Sequence, residues 1–403
     1  MSSYWKSVGI LAAGTLLSQL IFFIFIPIIT RLYLPSEYGL YTSVVSYSVI
    51  ASTLVFAGLE RALPLTDEES LPYFIGKMLK ISIIYIFVSL VCCYFYVSFF
   101  QGDSFLFFFS MLISIFFAYI NALSFLFVKY QEFKNDSLMK VYQALLLNIL
   151  QSITSYLSLS AFMLCLSDVI SKVIVILKYA SKPYLKITFK PDVNFNIRKY
   201  KSFYTSGLAS NLIVSSAMNL PIILAAKNFG ASSAAILFLA MKFTSIPASL
   251  IGTSIGKVYL STAADIDNKE EMKQLFTSNF KRLFVIALLT IPLYYISSFL
   301  LKFFLGSEWN GVVDSLLILM FLSGVQLIAN PLSITSMLYN KQHYDLIINV
   351  VRIFAVFISF GFSSNYLNYS DSLKVYVLSM ISIYTLSILV YYYIICTSKS
   401  KRV

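Results

Sequence analysis

Twelve stretches of roughly 20 or more mostly apolar residues run through this chain, at about 8–30, 39–60, 79–100, 104–127, 138–157, 160–178, 203–226, 231–255, 281–304, 313–338, 344–363 and 372–396. About 20 apolar residues in a helix span the hydrocarbon core of a bilayer, where every backbone polar group must be satisfied internally. The pattern predicts an all-α integral membrane protein with twelve transmembrane helices. Composition enters as a check: 59% of residues are hydrophobic and 12% charged, against about 25% charged in a soluble domain. Such a chain cannot cover itself with a water-compatible surface. The division within 138–178 rests only on Ser155, Ser158 and Ser160. The first run, Gly9 to Thr30, is too long for a signal-peptide core and is expected to stay as the first helix.

One segment interrupts the pattern. Lys178 to Lys201 reads KYASKPYLKITFKPDVNFNIRKYK, with seven Lys/Arg and one acid, Asp192. It is expected to be a cytosolic connector at 179–202, between an N-terminal six-helix lobe at 1–178 and a C-terminal six-helix lobe at 203–403. Basic residues collect in cytosolic loops. With the N-terminus inside, 23 of the 30 Lys/Arg fall on the cytosolic side and four (Arg31, Lys227, Lys302, Lys374) on the other. Lys172, Lys242 and Arg352 fall within helices. Both termini are therefore expected in the cytosol, and the net charge of +12 needs no nucleic-acid partner to explain it.

The halves echo one another. Gly14, Ser18-Gln19 and Pro27 in the first helix have counterparts in Gly207, Asn211 and Pro221 after the connector. Six helices plus six with the same polarity make a parallel repeat about an axis along the membrane normal, and such pairs place the substrate path between the halves.

Several chemistries are excluded. The four cysteines (Cys92, Cys93, Cys165, Cys396) lie in apolar runs without metal-ligand spacing, and His343 is the single histidine. No GxxxxGK[ST] or HExxH motif occurs, so neither ATP hydrolysis nor a zinc-protease site is indicated. No cofactor is expected, and any energy input would come from a proton or sodium gradient or from consumption of the cargo on the far side.

Polar residues inside the apolar runs mark the faces that avoid lipid. At three- and four-residue spacing they form stripes: Asn148, Gln151, Ser155 and Ser158; Gly207, Asn211, Ser215 and Asn219; Lys242, Ser245, Ser249 and Gly256; Ser323, Gln326, Asn330, Ser333 and Asn340; Asp345, Asn349, Arg352, Ser359 and Ser363. Small and amide residues also glue helices together, which accounts for the Ser and Gly members. The charges need more. A charge at the bilayer centre costs at least about 2.5 kcal/mol, and Lys242 lies midway along its predicted helix, so a water-filled cationic cavity is expected. Asp168 and Lys172 at i,i+4 can neutralise each other, as a structural pair or as a functional site. Glu60 and Arg61 are expected as a solvated pair at a helix end. Asp345 could serve Arg352 as counter-charge, but two turns of axial rise argue against direct contact. More buried cations than carboxylates point to an anionic cargo.

The N-terminal stretch adds a resemblance. GTLLSQLIFFIFIPIITRLYLPSEYGLYTSVVSYSVI (Gly14–Ile50), with Arg31-Leu32-Tyr33 and Pro35-Ser36-Glu37-Tyr38-Gly39, and LERALP at Leu59–Pro64 resemble the opening of Wzx-type polysaccharide flippases. These O-antigen transporters share a superfamily with the multidrug and toxin extruders. The residue-level likeness covers about the first 70 positions; length, helix count and connector fit along the whole chain. The resemblance implies two lobes in a V that open alternately to either side of the bacterial inner membrane. The cargo implied is an undecaprenyl-diphosphate-linked glycan, with a polysaccharide polymerase and a chain-length regulator as candidate partners. On that reading Arg31, Lys172, Lys242 and Arg352 attract the diphosphate and sugar acids. Asn148, Gln151, Asn211, Asn219, Gln326 and Asn330 hydrogen-bond the glycan, and Asp168, Glu60 and Asp345 are candidates for ion coupling or counter-charge.

Overall fold

The computed structural model describes residues 2–100, 103–180, 197–264, 266 and 268–397. Among them every regular element is helical: α1 (Ser2–Leu32), α2 (Pro35–Val55), α3 (Leu71–Phe100), α4 (Ser104–Lys129), α5 (Phe133–Thr154), α6 (Ala161–Ala180), α7 (Leu208–Phe229), α8 (Ala231–Ala264), α9 (Lys269–Phe304), α10 (Asn310–Leu332), α11 (Ile334–Leu338), α12 (His343–Val356) and α13 (Tyr369–Thr397). Most of the connector, with Lys182, Lys186, Lys190 and Asp192, lies outside the described residues, as do Lys399, Lys401 and Arg402.

A helix stands over each of the twelve predicted stretches, and among the described residues nine are long and apolar enough to cross a membrane. The other three are polar for identifiable reasons. Helix α5 carries Lys134, Asp136, Lys140, Asn148 and Gln151, α6 carries Asp168, Lys172 and Lys178, and the apolar part of α8 runs only over Ala231–Pro247.

The ends depart from the hydropathy pattern where the backbone turns. The stretch predicted as helix to residue 60 stops at Val55, because Ala57 (φ 52°) and Gly58 (φ 77°) take left-handed conformations before a 3-10 turn at Leu59–Leu65. Glycine suits this corner twice over: its φ is strained for L side chains, and a Cβ would lie 2.9 Å from the Phe203 carbonyl oxygen. The stretch predicted at 313–338 breaks at Ser333, just after Pro331.

The chain divides into two compact units, Met1–Asn219 and Leu220–Val403, with the boundary inside α7. In the first, α1 packs along α5 and α2 along α4. Gly14 permits the α1–α5 approach, since a Cβ there would sit 2.4 Å from Ser137 Cβ, and the Ser137 hydroxyl donates to the Ile10 carbonyl at 2.8 Å. The PSEYG stretch is structural. Pro35 opens α2, and Glu37 Oε2 accepts the Ala161 backbone N–H at 2.7 Å, capping α6 from 124 residues away. Tyr33 donates its hydroxyl to the Gln151 carbonyl at 2.9 Å.

In the second unit α10 is central, packed against α8, α9 and α13. The Tyr294 and Ser323 hydroxyls lie 2.6 Å apart, and both donate to the Thr244 carbonyl, at 3.0 and 2.7 Å. This ties three helices together near Pro247, which lies inside α8 and removes one of its backbone N–H donors.

Candidate substrate-binding site

Helix α12 brings Asp345, Asn349 and Arg352 onto one face, at i, i+4 and i+7. Opposite them α10 presents Ala329 and Asn330, the turn after it Ser333, and α13 Tyr384, Ser387 and Tyr391. Together with Ile348 these residues line a pocket of about 190 Å³ within the second unit. Three of the expected site residues, Asn330, Asp345 and Arg352, therefore meet in one place. Gln326 reaches the same place indirectly, its Nε2 lying 3.4 Å from the Tyr384 hydroxyl that it donates to.

The two charges of the pocket are held differently. Asp345 accepts the Ser336 hydroxyl on Oδ2 and the Tyr391 hydroxyl on Oδ1, the latter at 2.8 Å. Arg352 is 8% exposed. Its Nη1 donates to Asn349 Oδ1 at 2.8 Å and its guanidinium carbon lies 5.0 Å from the Tyr384 ring centroid. Nε is buried without a hydrogen-bond partner. The expectation that Asp345 and Arg352 do not touch agrees with these partners. A buried guanidinium with an unpartnered donor is costly in a membrane protein, and Arg352 is the one cation that lines this pocket.

The first unit holds a different cluster. Lys172 and Asp168 form an ion pair with side-chain exposures of 5% and 2%. The i,i+4 spacing on α6 is realised as direct contact, so the charge of Lys172 is neutralised by its own helix. Asn148 is buried and spends its amide on the Ala144 carbonyl at 2.7 Å. Gln151 is buried with Nε2 unpartnered, and the Thr154 and Ser167 hydroxyls lie 2.9 Å apart beside it.

The remaining residues lie elsewhere. Arg31 is exposed in the last turn of α1. Lys242 is exposed on α8 with Nζ 5.4 Å from the Phe238 ring centroid, and among the described residues no carboxylate pairs with it. Asn211 is buried on α7, and Asn219 donates to the Ser215 carbonyl at 2.9 Å. The side chain of Ser249 lies outside the described residues.

Glu60 is a correction. The expectation of a solvated pair fails: the carboxylate is 8% exposed, with Oε2 unpartnered, while Arg61 is exposed. The early end of α2 puts residue 60 in the 3-10 turn Leu59–Leu65, where it is buried along with Leu59, Ala62 and Leu63. Burial accordingly raises its pKa above the ordinary 4.5, with Arg61 opposing the shift.

Tyr384 and Tyr391 are pocket residues that the stripes did not single out. Their signal was present, since Tyr384, Ser387 and Tyr391 recur at i, i+3 and i+7, but in so aromatic a chain tyrosines blend with interfacial belts. Asp136 was also passed over. It is 2% exposed, takes the Ser124 hydroxyl at 2.5 Å and pairs with Lys140 at 2.8 Å. Among the described residues no group of three or more His, Cys, Asp or Glu could hold a metal ion.

A family model described as polysaccharide biosynthesis protein matches residues 28–314. No curated protein sequence matches the chain. Among solved structures, an inward-facing multidrug resistance MATE family transporter of the MOP superfamily superposes with TM-score 0.63 at 17% identity, over 96% of this chain and 93% of that one. An outward-facing structure of such a transporter gives 0.61 at 14%, over 98% and 97%. A MOP superfamily transporter from Pyrococcus furiosus, described as having a binding pocket of reversed polarity, gives 0.60 at 15%, over 97% and 96%. At these identities the likeness establishes the fold alone, the multi-pass helical architecture that those transporters share.

Proposed function

Because this chain belongs to the polysaccharide biosynthesis protein family, we propose that it is a flippase for undecaprenyl-diphosphate-linked oligosaccharide repeat units. It carries them from the cytosolic to the periplasmic leaflet of a bacterial inner membrane, for O-antigen or a related surface polysaccharide, by alternating access of its two halves. Both termini face the cytosol, as the 23-to-4 distribution of basic residues indicates. Ion-gradient coupling would supply the energy.

The observation that carries this reading is Arg352. It is buried, lines a pocket, has no ion-pair partner among the described residues, and its Nε is without a hydrogen-bond partner. An uncompensated buried cation calls for an anion, and a diphosphate-linked glycan brings several. Lys242 adds a second unneutralised cation, whereas Lys172 is committed to Asp168. A small-molecule extruder of cationic compounds would need free buried acids. Here Asp136 and Asp168 are paired with lysines and Asp345 with hydroxyls, and Glu60, whose Oε2 is unpartnered, lies outside the pocket that holds Arg352.

The test is a deletion strain assayed for the leaflet that holds the lipid-linked units. Complete units accumulating on the cytosolic side support export. Single units that reach the periplasm and fail to polymerise would point to a polymerase instead, and unchanged lipid-linked sugar would leave small-molecule extrusion.

A further inference from the structure

A second pocket, of about 210 Å³, lies in the first unit, at the end where α2, α4 and α6 finish and α3 begins. Its walls include Ile75, Met78 and Leu79 of α3, Leu123 and Leu126 of α4 and Ile176 of α6. We propose that it binds one acyl chain of an anionic phospholipid, whose headgroup sits at the lysines around the rim. The proposal asks only that these helices span a bilayer, so it stands apart from the export reading.

Water suits this pocket poorly. A buried water needs two to four polar partners. Tyr119 is the one lining residue with a polar side-chain atom, and its hydroxyl already lies 3.1 Å from that of Ser82. A hydrocarbon fits better. A cavity of about 150 Å³ lined by Leu, Ile and Phe binds benzene, and this larger one takes a run of several methylenes. Lipid tails are as apolar as leucine, so the gain is not transfer out of water. It is the dispersion contact between the chain and walls that would otherwise lack partner atoms.

The rim supplies the charge. Lys129, which ends α4, follows Leu126 by three residues and Ala122 by seven, and so shares their face. Its ammonium donates to the Thr66 carbonyl, which positions the group without cancelling its charge. Lys77 and Lys80 are exposed on α3 next to Met78 and Leu79, and Lys178 is exposed on α6 between Ile176 and Ala180. In the loop after Thr66, Asp67 is paired with Lys199 at 3.3 Å, which leaves Glu68 and Glu69 against these four lysines. Basic clusters at the ends of transmembrane helices attract acidic headgroups. Leu126 and Met78 lie within three residues of Lys129 and Lys77, about 5 Å of axial rise or less. A phosphate on the lysines and the chain below it therefore reach both parts of the site.

The full-length protein is placed in phosphatidylcholine nanodiscs with a trace of phosphatidylglycerol that carries a diazirine in one acyl chain. After irradiation the label is mapped by peptide mass spectrometry. Label is expected at 75–79, 119–126 and 176–180, in excess over the exposed apolar positions within 83–95 of α3 that any bilayer lipid touches. Added phosphatidylglycerol is expected to displace that excess on the order of five-fold more effectively than added phosphatidylcholine, the effect of one basic residue near an acidic lipid. Ala180→Trp fills the pocket from an exposed lining position. It is expected to remove the excess and leave the 83–95 label unchanged, the sign that the variant is folded and inserted. Label spread evenly over both regions overturns the proposal, as do equal competition by the two phospholipids and an undiminished excess in Ala180→Trp. Stronger displacement by undecaprenyl phosphate also overturns it, and would make the pocket a seat for a polyprenyl tail. The competition series on the unaltered protein decides the matter even where the variant fails to fold.

Discussion

Replacing Asp168 with Asn separates a structural ion pair from a working one. The Asp168 and Lys172 side chains are 2% and 5% exposed and in direct contact, so the variant leaves an ammonium buried beside a neutral amide. Breaking a buried pair from one side costs about 3–5 kcal/mol, whereas replacing both partners with apolar groups of similar volume is often neutral or stabilising. The expected order of unfolding free energy in mixed detergent micelles is therefore native close to Asp168→Leu/Lys172→Met, with Asp168→Asn about 3–5 kcal/mol below. The exposed pair Lys199–Asp67, at 3.3 Å with exposures of 62% and 69%, serves as the control, and Asp67→Asn should cost under about 1 kcal/mol. Export of lipid-linked units by the stable double variant would make the pair structural; its loss at full stability would give it a role in transport. An Asp168→Asn protein as stable as the native one would refute the reasoning, since Lys172 would then have another way to hold its charge.

Lys242→Ala is expected to impair export while the protein still inserts and accumulates normally, as read from membrane fractions beside the leaflet assay; full activity would remove the cationic-path argument. Gly14→Ala places a methyl 2.4 Å from Ser137 Cβ and 2.7 Å from its Cα, so α1 and α5 must separate, at a cost of about 1–3 kcal/mol for overpacking in the same unfolding titration. Glu37→Ala removes the cap of α6 and should cost about 1 kcal/mol, with the loss localised by hydrogen exchange at Ala161. Burial raises the Glu60 pKa above 4.5, so its contribution to stability is present below that value and lost as pH rises through the folded-state pKa. Glu60→Gln should therefore be at least as stable as the native protein at pH 8 and lose that advantage below about pH 4.5. An unchanged difference across that range would contradict the burial.

Particular residues show where sequence reading succeeded. Apolar runs long enough to span a bilayer placed the helices, because backbone satisfaction in hydrocarbon leaves few alternatives. The four-residue spacing of Asp168 and Lys172 foretold their contact, since both lie on one helix. Asp345, Asn349 and Arg352 were legible as one face for the same reason. The family itself was legible in Gly14–Ile50 and Leu59–Pro64.

The contacts that cross between elements were not legible. That Glu37 caps a helix 124 residues away, that Tyr391 rather than Arg352 engages Asp345, and that Glu60 turns inward at a left-handed corner follow from which helix packs on which. Local periodicity reports the face a residue occupies along its own helix, through interactions a few residues apart. The neighbour that face meets is decided by contacts far apart in sequence, so the sequence alone determined the spans and their polar faces, and only the tertiary packing decided which polar groups are spent on one another and which, like the buried Arg352 Nε, are left without a hydrogen-bond partner.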